Sequence, residues 1–283
     1  MGDLINILTH DLESFDDPIQ LKRIGHKNPY DFTKLHRHNY FEVMFFLEGG
    51  GKNLIDFVEY DVKTNGCYII YPGQVHLLNR APKSFGYLIQ FQRTSIFSPQ
   101  LQRLIQERTW SGGSAVLFEE NEVLMNKVIV MLDSLSTYSD TPSIYRREIK
   151  QHLLQALMLD LFSSIKEKSP AITTASAFYK FQQLIDKYFK EEQTVRFYMD
   201  QLEMSEKKLA ALSKKHTGIS PLQLIHKRIL LEAKRLLVFG DQPHKEIAYE
   251  LGFDSPASFS AFIKKKTGYT ASEIQSQVAE IHK

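Results

Sequence analysis

Between about Asp31 and Phe97 the apolar positions fall in short runs, Tyr40–Leu47, Lys52–Val58, Cys67–Tyr71 and Gly86–Phe91, separated by Gly, Asn and Pro. Short runs rich in β-branched and aromatic residues predict strands, and many of them at close spacing predict an antiparallel sandwich or barrel. Gly49-Gly-Gly-Lys52 lacks the spacing and the following Ser or Thr of a phosphate loop, and predicts a hairpin turn. After this region the period changes. Asn121–Leu135 places apolar residues at Val123, Leu124, Val128, Met131, Leu132 and Leu135, and Ser143–Lys168 at Ile149, Leu153, Leu154, Leu157, Met158, Leu161, Phe162 and Ile165. Both follow the i, i+3, i+4, i+7 spacing of amphipathic helices. The second stripe must bury against an apolar partner, either the sheet of its own domain or a second copy of the chain.

Residues 169–177 (SPAITTASA) lack charge and periodicity and read as a linker. Two domains are therefore expected, residues 1–170 and 178–281. Beyond the linker, Ser205-Glu-Lys-Lys-Leu209 to Ser220 matches Ser255-Pro-Ala-Ser-Phe259 to Thr270 at a constant offset of fifty residues, the mark of a duplicated unit. Ser205 and Ser255 suit helix N-caps, Pro256 the first helical position, and Gly218 and Gly268 the left-handed residue after a helix. A shorter helix precedes each, Thr194–Leu202 and Pro243–Leu251, across a three-residue turn. Helix, tight turn and helix is the unit that places its second helix in the DNA major groove. Between the units, Ser220-Pro221 to Val238 predicts a connecting helix ending at Gly240. Its nineteen residues span roughly 28 Å, a length suited to setting two recognition helices about one turn of DNA apart, roughly 34 Å.

These residues carry a resemblance. Leu231-Glu-Ala-Lys-Arg-Leu-Leu237, Glu246-Ile-Ala-Tyr-Glu-Leu-Gly-Phe253, Ser258-Phe-Ser-Ala-Phe262 and Lys264-Lys-Lys-Thr-Gly268 together resemble the AraC/XylS family of bacterial transcription regulators over about Phe178–Gln277. The resemblance implies two helix-turn-helix subdomains that bind promoter DNA, with RNA polymerase as a further partner. Met199 stands where the family has a small residue, and Ala271 where it has Pro, although Thr270 and Glu273 keep a capping box.

With Leu209, Leu212, Phe259 and Phe262 turned inward, the outward set is Glu206, Lys207, Ala210, Ala211 and Lys214 on one helix and Pro256, Ala257, Ser260, Ala261 and Lys264 on the other. Ser258 belongs to the same second-helix surface, and Lys208, Lys215 and Lys265 extend the lysine clusters as phosphate contacts. Neither helix offers Arg, Asn or Gln, so base reading falls to Lys207, Ser260 and apolar contact with thymine methyls.

Charge supports this division. The chain carries +2 in total, but residues 1–170 sum to −2 and residues 171–283 to +4, which puts the polyanion partner at the helical end. The 43% hydrophobic and 24% charged content is that of a globular protein. With no apolar run long enough to span a bilayer and an acidic N-terminus, a cytoplasmic protein without membrane contact is expected. Cys67, the one cysteine, reads as a small core residue.

His36-Arg-His38-x3-Glu42-x6-Gly49 and Gly66-x5-Pro72-Gly73-Gln-Val-His76 resemble the two motifs of cupin barrels, which implies a divalent metal on two His, a Glu and a third His. Two departures weaken the match: Tyr30 stands in place of a Gly, and His76 comes one residue early. AraC-like sensor domains share the cupin fold, and the resemblance implies that they bind a small effector without chemistry. His36, His38, Tyr40, Glu42, Tyr71 and His76 are accordingly read as an effector pocket, with Phe41 in its wall, suited to a sugar ring or small aromatic. No cofactor is expected and no metal favoured; His36, His38, Glu42 and His76 would be the ligands if one is held. The fold expected is an N-terminal all-β cupin-like barrel with appended helices and a C-terminal all-α domain. The function expected is an effector-responsive, dimeric DNA-binding regulator and not an enzyme. The alternatives are a metal-dependent cupin enzyme fused to a DNA-binding domain and a ligand-independent architectural protein.

Overall fold

The computed structural model describes residues 8–10, 18–25, 35–96, 98–102, 104–105, 115–138, 144–163, 175–239 and 242–281. The first six positions of the expected linker, and the expected helical residues 164–168, lie outside them. The chain divides into two compact units that part at residues 167 and 168.

The first unit contains β1 (Leu8–His10), β2 (Ile19–Ile24), β3 (His36–His38), β4 (Phe41–Glu48), β5 (Gly51–Ile55), β6 (Val58–Asp61), β7 (Gly66–Ile70), β8 (Val75–Arg80), β9 (Phe85–Phe91) and β10 (Val116–Phe118), followed by α1 (Glu122–Ser136) and α2 (Ile144–Ser163). Two five-stranded sheets form, ordered β1-β3-β8-β5-β6 and β10-β7-β4-β9-β2. Among the described residues all pairings are antiparallel except β1 with β3.

The central strand β4 is buried on both faces, which its alternation explains. Met44 and Phe46 face inward, in a cluster with Ile55 and Leu78 of the opposite sheet, while Phe41, Val43 and Phe45 face outward onto α1 and α2. The stripe on α2 is thus covered largely by its own sheet: Leu154, Leu157, Met158, Leu161 and Phe162 are buried there, whereas Ile149 is exposed. Cys67 is fully buried in β7, and burial pushes its thiol well above the ordinary range.

Two expectations fail here. Lys52–Val58 is not one strand, because Asp56 and Phe57 both take positive φ, 43° and 74°, and turn β5 into β6. Nor is Gly49–Lys52 a hairpin turn, since β4 and β5 lie in different sheets. It is a corner, stitched by Gly50 N–H to Val62 O and Val62 N–H to Gly51 O. Gly51, at φ +94°, runs so close to β8 that a Cβ would stand 2.2 Å from the Asn79 carbonyl oxygen.

The second unit contains α3 (Ala175–Tyr188), α4 (Val195–Leu202), α5 (Glu206–Thr217), α6 (Pro221–Phe239), α7 (His244–Glu250), α8 (Pro256–Thr267) and α9 (Ala271–Ile281). The α3 helix begins inside the stretch expected to be linker. The connecting helix α6 has the nineteen residues expected, and Gly240 lies outside the described residues. The turn between α4 and α5, Glu203–Ser205, has the expected three residues, but Leu251–Ser255 separates α7 from α8.

Arg228 fastens α6 to α3. Its guanidinium donates to Asp186 Oδ1 at 3.0 Å and to Glu232 Oε2 at 2.9 Å, and lies 4.0 Å from the centre of the Phe189 ring. Burial opposes ionisation of Glu232, but Arg228 and Arg235 outweigh it and hold the carboxyl below its ordinary range. Arg228→Met should therefore cost this unit about 2–3 kcal/mol at neutral pH, as urea unfolding would measure. Because the folded-state pKa is depressed, the contribution is present above the unfolded carboxylate pKa and lost as pH falls through the folded value. The gap between wild type and variant should narrow as pH falls below the ordinary carboxylate range.

Candidate functional site

Two regions concentrate chemistry. In the helical unit, α5 and α8 are built alike. Ser205 Oγ accepts from Lys208 N–H at 3.4 Å, and Ser255 Oγ from Ser258 N–H at 3.2 Å. Gly218 and Gly268 close the helices at φ 75° and 81°. The Thr270–Glu273 box also forms, with Thr270 N–H donating to Glu273 Oε2 at 2.6 Å and Glu273 N–H to Thr270 Oγ1 at 3.3 Å.

The faces of these helices are rotated slightly from expectation. The fully buried positions are Leu209 and Ser213 on α5, and Phe259 and Ile263 on α8, an i, i+4 pair in each case. Leu212 and Phe262 are half-buried; Phe262 lies against Phe253 at 5.2 Å and His226 at 5.4 Å. Glu206, Lys207, Lys208, Ala211, Lys214 and Lys215 are exposed on α5, as are Ala257, Ser258, Ser260, Ala261, Lys264 and Lys265 on α8. Ala210 and Pro256 are half-buried. Ser258 is committed to the cap rather than to a ligand: its hydroxyl accepts from Ser255 N–H at 3.3 Å and donates to Ser255 O at 2.7 Å.

The second region lies at the end of the barrel interior where β4 begins. The inward alternation that buries Met44 and Phe46 buries Glu42 two residues earlier, at 2% exposure. Strand pairing brings its neighbours together: β3 pairs with β8 through His36 and His76, and β4 with β9 through Glu42 and Gln90. His38 Nε2 stands 3.6 Å from Glu42 Oε2, and His76 Nε2 3.7 Å from Glu42 Oε1. Gln90 Nε2 donates to Glu42 Oε2 at 3.0 Å and to Tyr40 Oη at 3.2 Å. The Tyr40 ring stacks on His38, centroids 4.0 Å apart and 5° from parallel.

His38 Nδ1 lies 2.8 Å from the Tyr40 carbonyl oxygen, which can only accept, so this nitrogen carries the proton. Burial holds the pKa of His38 down to about 3 against the pull of Glu42, with His76 and His36 adding to the depression. Its Nε2 therefore presents a lone pair to a carboxylate. Ligand atoms of His38, Glu42 and His76 all lie within 4.8 Å of one another. His36 borders this group, its ring 4.0 Å from that of His76.

Not every expected pocket residue joins them. Phe41 and Tyr71 belong to the outward, helix-side cluster, because odd positions of β4 and the parity set by Ile69 point them there. Gln90 and Asn53 belong to the interior, outside the set that the sequence motifs single out. Asn53 is fully buried on β5, and neither carboxamide atom has a hydrogen-bond partner. An inward polar residue beside Ile55 on a period-two strand is the signal that identifies such a position.

Comparison with known proteins follows the same division. The model of the AraC-like ligand binding domain matches residues 20–157, and that of a helix-turn-helix domain residues 198–277. The HTH-type transcriptional activator RhaS of Salmonella schwarzengrund is 22% identical over 252 residues, 85% of this chain and 86% of that protein. Among solved structures, ToxT from Vibrio cholerae O395 is 14% identical with a TM-score of 0.45, covering 91% of this chain and 97% of its own. The C-terminal domain of AraT, a response regulator from Geobacillus stearothermophilus, is 27% identical with a TM-score of 0.34, over 36% of this chain and 85% of its own. Two matched domains in this order, on a barrel with appended helices and a duplicated helix-turn-helix unit, identify the chain as a member of the AraC/XylS family, a DNA-binding transcription regulator with an N-terminal ligand-binding domain.

Proposed function

We propose that a small molecule held inside the barrel sets how a homodimer of this chain occupies promoter DNA in the cytoplasm, with the two recognition helices α5 and α8 reading one face of the duplex. The observation that carries the reading is the equivalence of those helices: the same serine cap, the same glycine stop, and exposed lysines at matching positions, Lys214-Lys215 and Lys264-Lys265. Lysines recurring at equivalent places in both halves fit phosphates on successive turns of a groove. An effector acts by binding one state better than another, and the buried polar end of the barrel offers the groups to hold it. RNA polymerase is the further partner through which occupancy would reach transcription. Turnover is not part of the proposal: the matched sensor domain spans the barrel and its helices, which favours binding over an enzymatic cupin.

The test is selection of genomic DNA fragments by the purified full-length chain at two salt concentrations. Recovery of a few promoter sites, each contacted on one face in two adjacent turns, is expected, with no guanine dominating the positions that face α8, because α8 carries no Arg, Asn or Gln. Retention governed by salt alone, with no recurring sequence and no effect of added metabolite pools, would overturn it.

A further inference from the structure

Asn53 stands in the apolar part of the barrel interior, away from the polar end. It pairs across β5 and β8 with Leu78, and directly paired residues of antiparallel strands share a face. Leu78 lies in the inward cluster with Met44, Phe46, Ile55 and Leu88, so the Asn53 side chain enters that cluster too. It is 0% exposed, and neither Nδ2 nor Oδ1 has a hydrogen-bond partner. Each orphaned atom carries a desolvation cost that a valine or leucine on the same strand would avoid. A local rule broken in this way, with no gain to the fold, marks a functional position.

We infer that Asn53 recognises a neutral amide or lactam at one end of an otherwise apolar ligand, an inference that rests on the reading that a small molecule occupies the barrel. A carboxamide sets a donor beside an acceptor, so its complement must offer an acceptor and a donor along one edge. A primary amide or a lactam does so. A ketone leaves Oδ1 unpaired, and a carboxylate, which only accepts, sets its charge against Oδ1 in apolar surroundings. The body attached to the amide must be apolar for the same reason: sugar hydroxyls would lack partners among Met44, Phe46, Ile55 and Leu88. A small aromatic ring therefore fits this region and a sugar ring does not. Ile55, two residues along β5, pairs with His76, which puts Asn53 about 7 Å from the polar end. A single ring covers that distance. Met44, unbranched, is the member of the cluster best able to give way to it.

The test titrates the full-length chain with benzamide and, separately, with acetophenone and benzoate, followed by saturation-transfer NMR. The three share a ring, but the last two replace the amide by a carbonyl alone or by a carboxylate. Expected is benzamide binding at about 1 mM, the range of so small a ligand, with the other two about 10- to 100-fold weaker. Asn53→Leu should abolish the preference for benzamide and raise the unfolding temperature of the ligand-free barrel by about 2–4 °C, because it removes both orphaned atoms. Equal binding of benzamide and acetophenone, or no uptake of benzamide, would overturn the inference without recourse to any variant. So would a preference for benzamide that survives Asn53→Leu. Loss of stability in both Asn53→Leu and Asn53→Val would overturn it too, by showing that the carboxamide is satisfied within the fold. Fragment selection separates this from the regulator reading. Promoter retention that responds to metabolite pools while benzamide fails to bind removes only the amide; benzamide uptake without any such response removes only the effector role.

Discussion

Gly252→Ala is expected to destabilise the helical unit by about 2–5 kcal/mol and to abolish sequence-specific DNA retention, whereas Gly218→Ala should cost only about 1–2 kcal/mol. Both glycines have nearly the same backbone, φ +76° and +75°, so both substitutions incur the same left-handed penalty. Their surroundings separate them. A Cβ on Gly218 meets nothing within 4 Å, while one on Gly252 would stand 1.7 Å from the Lys190 carbonyl oxygen. That carbonyl cannot retreat freely, because its loop is tied to the same turn: Gln193 donates to Leu251 O at 2.7 Å, and Lys190 Nζ pairs with Glu250 at 2.7 Å. Relief would require separating the loop after α3 from the turn that leads into α8, and so tilting the recognition helix. The equivalent left-handed residue of the first unit is Glu203, at φ 51°, where no such close approach demands a glycine. Urea unfolding of the two full-length variants, side by side, gives the comparison; equal losses would show that conformation alone, and not the clash with Lys190, governs the site.

The helical unit is the more legible half, for a physical reason. Helix punctuation is local, so Ser205, Ser255, Gly218, Gly268 and the Thr270–Glu273 box announce their positions from the residues beside them. The barrel is held by pairings between distant residues, and its sequence signals are correspondingly weak. Ile19–Ile24 carries no strand signal of its own, yet it completes a sheet edge against β9. The inward or outward sense of β4 turns on a single step of parity: grouping Tyr40 and Phe41 together as pocket residues mixes two faces, and the structure sends Phe41 to the helices and Glu42 to the interior. The triple glycine suits a hairpin and a corner between sheets equally well, because both use the same residues; only the identity of the paired strands distinguishes them. What the motif spacing does convey is the set of His38, Glu42 and His76, since histidines and a carboxylate on neighbouring strands are brought together by pairing even when one loop is a residue short.

Removing the lysines of the two recognition helices is expected to give the largest functional effect. Lys208 and Lys214 on α5 and Lys264 and Lys265 on α8 are all exposed, and none is paired with a carboxylate among the described residues. Unpaired lysines at the ends of groove-facing helices are the groups that displace counterions from phosphates. Each phosphate left without its lysine should lower the slope of log affinity against log salt by about 0.9, so the fourfold alanine variant should lose about 3.6 units of slope and about a thousandfold in affinity near 0.15 M salt. Because phosphates carry no sequence information, the loss should be nearly the same for a selected promoter site and for random DNA, leaving their ratio intact. Ser260→Ala should do the reverse, narrowing that ratio while leaving the salt slope unchanged, since Ser260 is exposed on α8 and, unlike Ser258, is not committed to the cap. Fluorescence anisotropy on both duplexes across a salt series separates the two behaviours. A lysine variant that loses the selected site but keeps random DNA would mean that these side chains read bases, and the assignment of roles between the lysines and Ser260 would then have to be exchanged.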